Sequence, residues 1–109
     1  MALIGNSITS GTTVTIGKEL VFDVPRAVYC MQISWTGTIT TNPNPTVELQ
    51  GTIDRKTWSR ITDVALRGQP GSLFGGGGVN LPVVAIRAAI MGQHPFDPGV
   101  AITVDLAAA

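Results

Sequence analysis

The single histidine is the first residue that could do chemistry in this chain. His94 lies between Gln93 and Pro95 in a turn-like segment, and a Ser-His-Asp triad would depend on this residue as its base. No G-x-S-x-G sequence is present to hold a serine nucleophile. Zinc sites ordinarily need three or four converging nitrogen, sulfur or oxygen ligands, so one histidine does not predict a metal site. We therefore expect no catalytic or metal-binding role for His94.

The acidic residues and a run of glycines are two further features that could do chemistry. The acidic residues are dispersed and form no D-x-D-x-D calcium loop, as the positions Asp23, Glu48, Asp54, Asp63, Asp97 and Asp105 show. The two carboxylates of a glycosidase meet only in space, so the sequence leaves that possibility open. Residues 75–78 are glycines without the Gly-Lys-Ser/Thr of a phosphate loop. The sequence predicts a protein that is not an enzyme and needs no cofactor.

The lone cysteine and the two tryptophans have simpler interpretations than chemistry. Cys30 is the only cysteine, which excludes an intramolecular disulfide, and its apolar neighbours predict a small buried side chain. Trp35 and Trp58 could form a stacking platform for a sugar. Large aromatic residues in β domains are more often core or interface residues, and we favour that role.

Composition limits the size of the protein and its partners. A chain of 109 residues corresponds to one domain. Charged residues make up 13%, about half the ~25% of ordinary globular proteins, and seven basic residues balance seven acidic ones. No net field attracts nucleic acid or anionic lipid, and no apolar run reaches the ~20 residues of a membrane span. A neutral surface with few charges protects poorly against association, which suggests partners that cover part of it.

The clearest element is the strand around residues 47–53. Apolar residues or glycine alternate with polar ones here, so Val47, Leu49, Gly51 and Ile53 are expected to face inward and Glu48, Gln50 and Thr52 outward. Residues 54–57 then form a turn that begins at Asp54. We expect Trp58, just beyond it, to be a core or interface residue whose replacement by alanine costs ~3–5 kcal/mol.

Other segments alternate in the same way, and polar or glycine-rich stretches separate them. Inward faces are predicted for Leu20, Phe22 and Val24, for the bulky set Ala27, Tyr29, Met31, Ile33 and Trp35, and for Val100, Ile102, Val104 and Leu106. Residues 83–91 are apolar on both faces apart from one arginine, as in a buried strand, although Ala, Ile and Met also fit a helix. The pattern predicts an all-β protein, an antiparallel β-sandwich of jelly-roll or immunoglobulin-like type with extended loops or arms.

The domain organisation follows from these segments. We expect an extended arm or edge strand at residues 1–11, one β-sandwich domain over residues 12–106, and a frayed tail at residues 107–109. Residues 37–45 and 67–80 are predicted to be loops because prolines interrupt the first and glycines fill the second.

The sequence LQGTIDRKTWSRI at residues 49–61 resembles a pattern in small β-sandwich proteins of tailed bacteriophages and prophages. In those proteins a strand ending in an EGS.DG..W..L turn precedes a glycine-rich loop, a strand of ARYVR type and a final alternating strand; the counterparts here are residues 68–78, 84–88 and 100–106. Arg55 occupies the place of the usual turn glycine, which argues against a positive φ there. A similar turn occurs in discoidin-like carbohydrate-binding sandwiches.

The resemblance implies a structural protein of the virion, synthesised in the host cytoplasm. The favoured function is a capsid decoration or cement protein, a homo-oligomer and most simply a trimer, that stabilises the shell of major capsid protein on the capsid surface. Leu3, Ile4, Leu73 and Phe74 are the expected partner-interface residues, because they are apolar and lie in arms or loops. A tail, neck or receptor-binding component and a carbohydrate-binding module are the alternatives.

Overall fold

The computed structural model describes residues 5–11, 14–40, 44–75, 82–92 and 96–108. These residues contain no helix and form nine strands: β1 (Gly5–Gly11), β2 (Thr15–Ile16), β3 (Leu20–Arg26), β4 (Tyr29–Thr36), β5 (Thr46–Thr52), β6 (Ser59–Ala65), β7 (Gly71–Gly75), β8 (Val83–Met91) and β9 (Ala101–Ala108). The predicted all-β class is confirmed. No helix long and apolar enough to cross a membrane occurs in these ranges.

The strands form two sheets in which every pairing is antiparallel. The first sheet has the order β1-β9-β4-β7, and the second has the order β2-β8-β5-β6, with β3 also paired to β8. Strands β2 and β3 pair with successive parts of β8, with Thr15 opposite Ile90 and Leu20 opposite Ile86. The predicted antiparallel sandwich is therefore confirmed.

Alternating side chains of the central strands form the core between the sheets. In the first sheet Met31 and Ile33 of β4 pair with Leu106 and Val104 of β9, and all four side chains are fully buried. In the second sheet Val47 and Leu49 of β5 are buried in the same way. The period of two read from the sequence thus identifies the inward faces of these strands.

The two ends of the described chain lie side by side in the first sheet. Strand β1 is an edge strand, with Gly5 opposite Ala108. The expectation that residues 107–109 fray is wrong for Ala107 and Ala108, because β1 and β4 pair with β9 from both sides as far as Ala108. Leu3 and Ile4, predicted to contact a partner, lie outside the described residues.

The glycine-rich segment contains a strand that the sequence did not predict. Residues 71–75 form β7, which pairs with β4 along the edge of the first sheet, so the prediction of a continuous loop over residues 67–80 is wrong there. Close packing explains the glycine at position 75, since a Cβ atom there would lie 2.9 Å from Val64 Cγ2 and 3.0 Å from Met31 Cε. Gly75 therefore allows β7 to pack closely against the core, whereas the sequence analysis took the glycines as the sign of an irregular loop.

Strand β3 departs from its predicted face. Phe22 is buried and Leu20 packs against the core, as expected, but Val24 is 51% exposed. The pairing of β3 with β8 shifts register between Val21 and Arg26, and an irregularity of this kind reorients the side chains beyond it.

Candidate functional site

The turn that follows β5 is built by two side chains that bind backbone amides. The Thr52 hydroxyl accepts hydrogen bonds from the N–H groups of Asp54 and Arg55, and the Asp54 carboxylate accepts from those of Lys56 and Thr57, both at 2.8 Å. Thr52 is buried, although the alternation predicted that it would face outward. Asp54 therefore has the structural role in the turn that its position suggested.

Arg55 adopts the backbone conformation that the sequence argued against. Its φ is +62°, in the left-handed region where residues other than glycine are uncommon. The bond from the Arg55 N–H to Thr52 and the two amides held by Asp54 fix the backbone on both sides of this residue. A long side chain is tolerated there because it points to solvent, where Arg55 Nε lies 3.4 Å from Glu19 Oε1.

Removing the Asp54 carboxylate is expected to destabilise the fold in a pH-dependent way. The amide of Thr57 first, then that of Lys56 and the Thr52 hydroxyl, hold the pKa of Asp54 below its ordinary value. A lowered pKa in the folded state gives stability that is complete above the pKa of the unfolded chain and is lost as the pH falls through the lower folded value. Thermal melts should therefore show an Asp54→Ala deficit that is full near neutral pH and shrinks as the pH falls below the ordinary aspartate pKa of about 3.9. Asp54→Asn keeps an acceptor oxygen and should lose less; a deficit that stays constant over this range would contradict the assignment.

Trp58 is not part of the buried core, which was one of the two roles, core or interface, that the sequence predicted for it. It is half-buried on the outer face of the second sheet, where Arg87 Cζ lies 4.2 Å from the centroid of its ring. Arg87 Nε also donates to Gln50 Oε1 at 2.7 Å. The indole therefore takes part in a cation–π contact on the surface. The alternation of residues 47–53 does not reveal this position, because Trp58 follows the turn.

An apolar cleft opens where β5 ends and where β6 and β8 begin. The Ile61 and Val83 side chains form its floor above Gly51, and Ile53, which is 77% exposed, forms one wall. Asp54 and Arg60 lie at its rim, and the cleft has a volume of about 430 Å³. We call this site the turn cleft. The sequence analysis missed it because Ile53 was expected to continue the inward face of β5, whereas the strand ends at Thr52 and the chain turns outward.

The outer face of the first sheet, as far as its side chains are described, carries little charge and an exposed aromatic residue. Among the described side chains of β4, β7 and β9, this face contains polar, alanine and cysteine residues and a single carboxylate, Asp105. Phe74 lies on it opposite Gln32 and is 73% exposed. Leu73 points the other way and packs against the core. Of the two anchor residues predicted in this segment, Leu73 therefore serves the fold, and Phe74 remains the candidate contact residue.

A second cleft, of about 450 Å³, lies beside the loop after β4 and is lined in part by Ile39, Thr40 and Arg67. Its wall is a fixed structure, since Ile39 exchanges backbone hydrogen bonds with Gly68 and the Asp97 carboxylate accepts bonds from the N–H and hydroxyl of Thr40. These contacts fasten the described part of the 37–45 loop to the sandwich. They do not assemble a reactive group.

Two more of the acidic side chains that were considered for chemistry have arginine partners nearby. Asp23 contacts Arg26 at 2.7 Å, and this hydrogen bond holds the pKa of Asp23 below its ordinary value. Asp63 lies 3.4 Å from Arg60. Within the described residues, no group of three or more His, Cys, Asp or Glu side chains could hold a metal ion. His94 lies outside those residues.

These features define a class of protein: a small antiparallel β-sandwich whose candidate site is a surface and a shallow cleft. Among solved structures, the chain is similar to the crystal structure of PirA, with a TM-score of 0.62 and 9% sequence identity over 94% of this chain and 92% of that chain. It is also similar to the SPBc2 prophage-derived protein YomS, with a TM-score of 0.51 and 7% identity over 100% of this chain and 99% of that chain. At these identities the likeness establishes the fold alone. No protein-family model matches the sequence, and no curated protein matches it.

Proposed function

We propose that this chain is a non-enzymatic structural protein of a bacteriophage particle, and more narrowly a homo-oligomeric decoration protein that stabilises the shell of major capsid protein. The observation that carries the proposal is the outer face of the first sheet, where Phe74 is 73% exposed among neutral polar side chains. An exposed aromatic residue among neutral neighbours is typical of an interface centre. The full-length fold likeness to a prophage-derived protein supports the phage setting.

The proposed mechanism needs contact and no reaction. The two paired sheets make a rigid block, and a block that binds only the assembled shell stabilises that shell by mass action. The low charge of the surface means that contact depends on shape and apolar burial more than on electrostatic attraction.

A sugar-binding role finds less support in the two tryptophans. Arg87 occupies one face of the Trp58 ring. Trp35 is half-buried against the core and donates its Nε1–H to the Gly68 carbonyl oxygen at 3.4 Å. Arg87 leaves at most one face of the Trp58 ring for stacking, and the Trp35 ring packs against the core, so we favour the structural role.

The test is the copy number of this protein in purified phage particles from the strain that carries its gene. Quantitative mass spectrometry should find the chain in proportion to the capsid subunits, and it should co-sediment with tail-free capsids. A few copies that sediment with tails would instead place it in the tail or neck. Absence from the particles, together with failure of the recombinant chain to bind purified capsids, would contradict a structural role in the virion.

A further inference from the structure

We propose that the partner of Phe74 is a second copy of this chain, which receives the phenyl ring in its turn cleft. Phe74 and Ile53 are the two most exposed large hydrophobic residues in the described part of the chain, at 73% and 77%. Phe74 is a projecting side chain and Ile53 lines a cleft, so each copy carries both a ring and a recess that could receive one. This inference deepens the proposed function and rests on it for its biological setting.

The turn cleft has the size and lining that a phenyl ring requires. Its volume is about 430 Å³, and an apolar cavity of roughly 150 Å³ is enough to hold benzene. The Ile61 and Val83 side chains pack directly over Gly51, because a Cβ atom at Gly51 would lie 2.7 Å from Ile61 Cδ1 and 3.1 Å from Val83 Cγ1. A ring entering the cleft would therefore lie on the Ile61 and Val83 side chains and against Ile53.

The charges on both sides permit this contact. The rim of the turn cleft carries one carboxylate, Asp54, and one guanidinium, Arg60, so its two formal charges cancel. Around Phe74 lie the neutral side chains of Gln32 and Ser72, whose Nε2 and Oγ atoms are 3.3 Å apart. The chain as a whole has a formal net charge of zero at pH 7, which leaves no net repulsion between copies.

The geometry makes the contact head-to-tail. Phe74 projects from the outer face of the first sheet, whereas the turn cleft opens at one end of the second sheet, so each copy presents a ring at one place and a cleft at another. A contact between two different patches is heterologous, and it leads to a closed ring or an open filament. The trimer expected from the sequence would be such a ring.

The test uses three variants that each gain one negative charge on an exposed apolar position. Phe74→Asp removes the ring, Ile53→Asp alters the cleft, and Val24→Asp is the control, because Val24 is 51% exposed and lies at neither site. Light scattering after size exclusion, over a range of concentrations, should show self-association of the wild type and of Val24→Asp. Phe74→Asp and Ile53→Asp should each weaken self-association by about thirty-fold or more, as expected at the centre of an interface.

Mixing the two interface variants is the decisive step. Ile53→Asp keeps its ring and Phe74→Asp keeps its cleft, so the mixture can form one intact contact and should give a dimer of one copy each. Far-UV circular dichroism of each variant checks that it is folded. A monomeric wild type, an unaffected Phe74→Asp variant, or a folded pair that stays monomeric when mixed would overturn the proposal. Because the copy-number test measures wild-type protein in particles, this proposal can fail while the proposed function stands.

Discussion

Gly37→Ala is expected to lower the free energy of unfolding by about 2–4 kcal/mol, a large part of the stability of a domain this size. Gly37 follows β4 and has a φ of +73°, where an L-residue with a Cβ atom is strained by about 1–2 kcal/mol. A Cβ atom there would also lie 2.7 Å from the Gly99 carbonyl oxygen and 2.9 Å from the Val100 amide nitrogen. Both neighbours are backbone atoms, which cannot rotate away as a flexible side chain can.

The matched control for this change is Gly68→Ala. Gly68 has a φ of +89°, but a Cβ atom at that position would meet no other atom within 4 Å. It should therefore lose only the conformational part, about 1–2 kcal/mol. Urea denaturation of both variants measures the difference. Equal losses would mean that the contact between Gly37 and the turn before β9 does not constrain the fold.

The inward faces of the sandwich could be predicted from the sequence because alternation is a local property. In β4 and β9, each buried residue is followed by a more polar or smaller one, and the period of two shows directly which side chains face the core. The turn at Asp54 was also predictable, since its residue types bind their own backbone amides.

The parts that could not be predicted depend on contacts between distant segments. Strand β7 has few side chains to alternate, and it becomes a strand because the β4 edge supplies its hydrogen bonds. The positive φ of Arg55 depends on Thr52, whose burial no pattern reveals. The order of strands within each sheet is a property of the assembled sandwich and has no local sequence signal.

The candidate site was predictable in part. Phe74 was identified as an apolar residue in a glycine-rich segment, and the structure leaves it exposed. The turn cleft was missed because three separate segments contribute to it, around Gly51, Ile61 and Val83. Sequence reasoning follows one segment at a time, so a cleft formed where several strands begin or end is difficult to foresee.

Ile33→Ala is expected to lower the free energy of unfolding by about 3–4 kcal/mol. Ile33 is fully buried at the centre of β4, where it pairs with Val104 on one side and Leu73 on the other. Strands on both sides hold the backbone, so the space left by the removed carbons cannot readily collapse.

Trp58→Ala is the comparison variant, because it removes a larger side chain than Ile33→Ala does but from a position outside the core. Trp58 lies outside the core and its described ring contact is with Arg87, so its removal should cost only about 1–2 kcal/mol. Urea denaturation followed by far-UV circular dichroism measures both variants. We expect the cost of a truncation in this protein to depend more on burial between the sheets than on the size of the side chain. A larger loss for Trp58→Ala than for Ile33→Ala would instead indicate that Trp58 stabilises the fold as a core residue does.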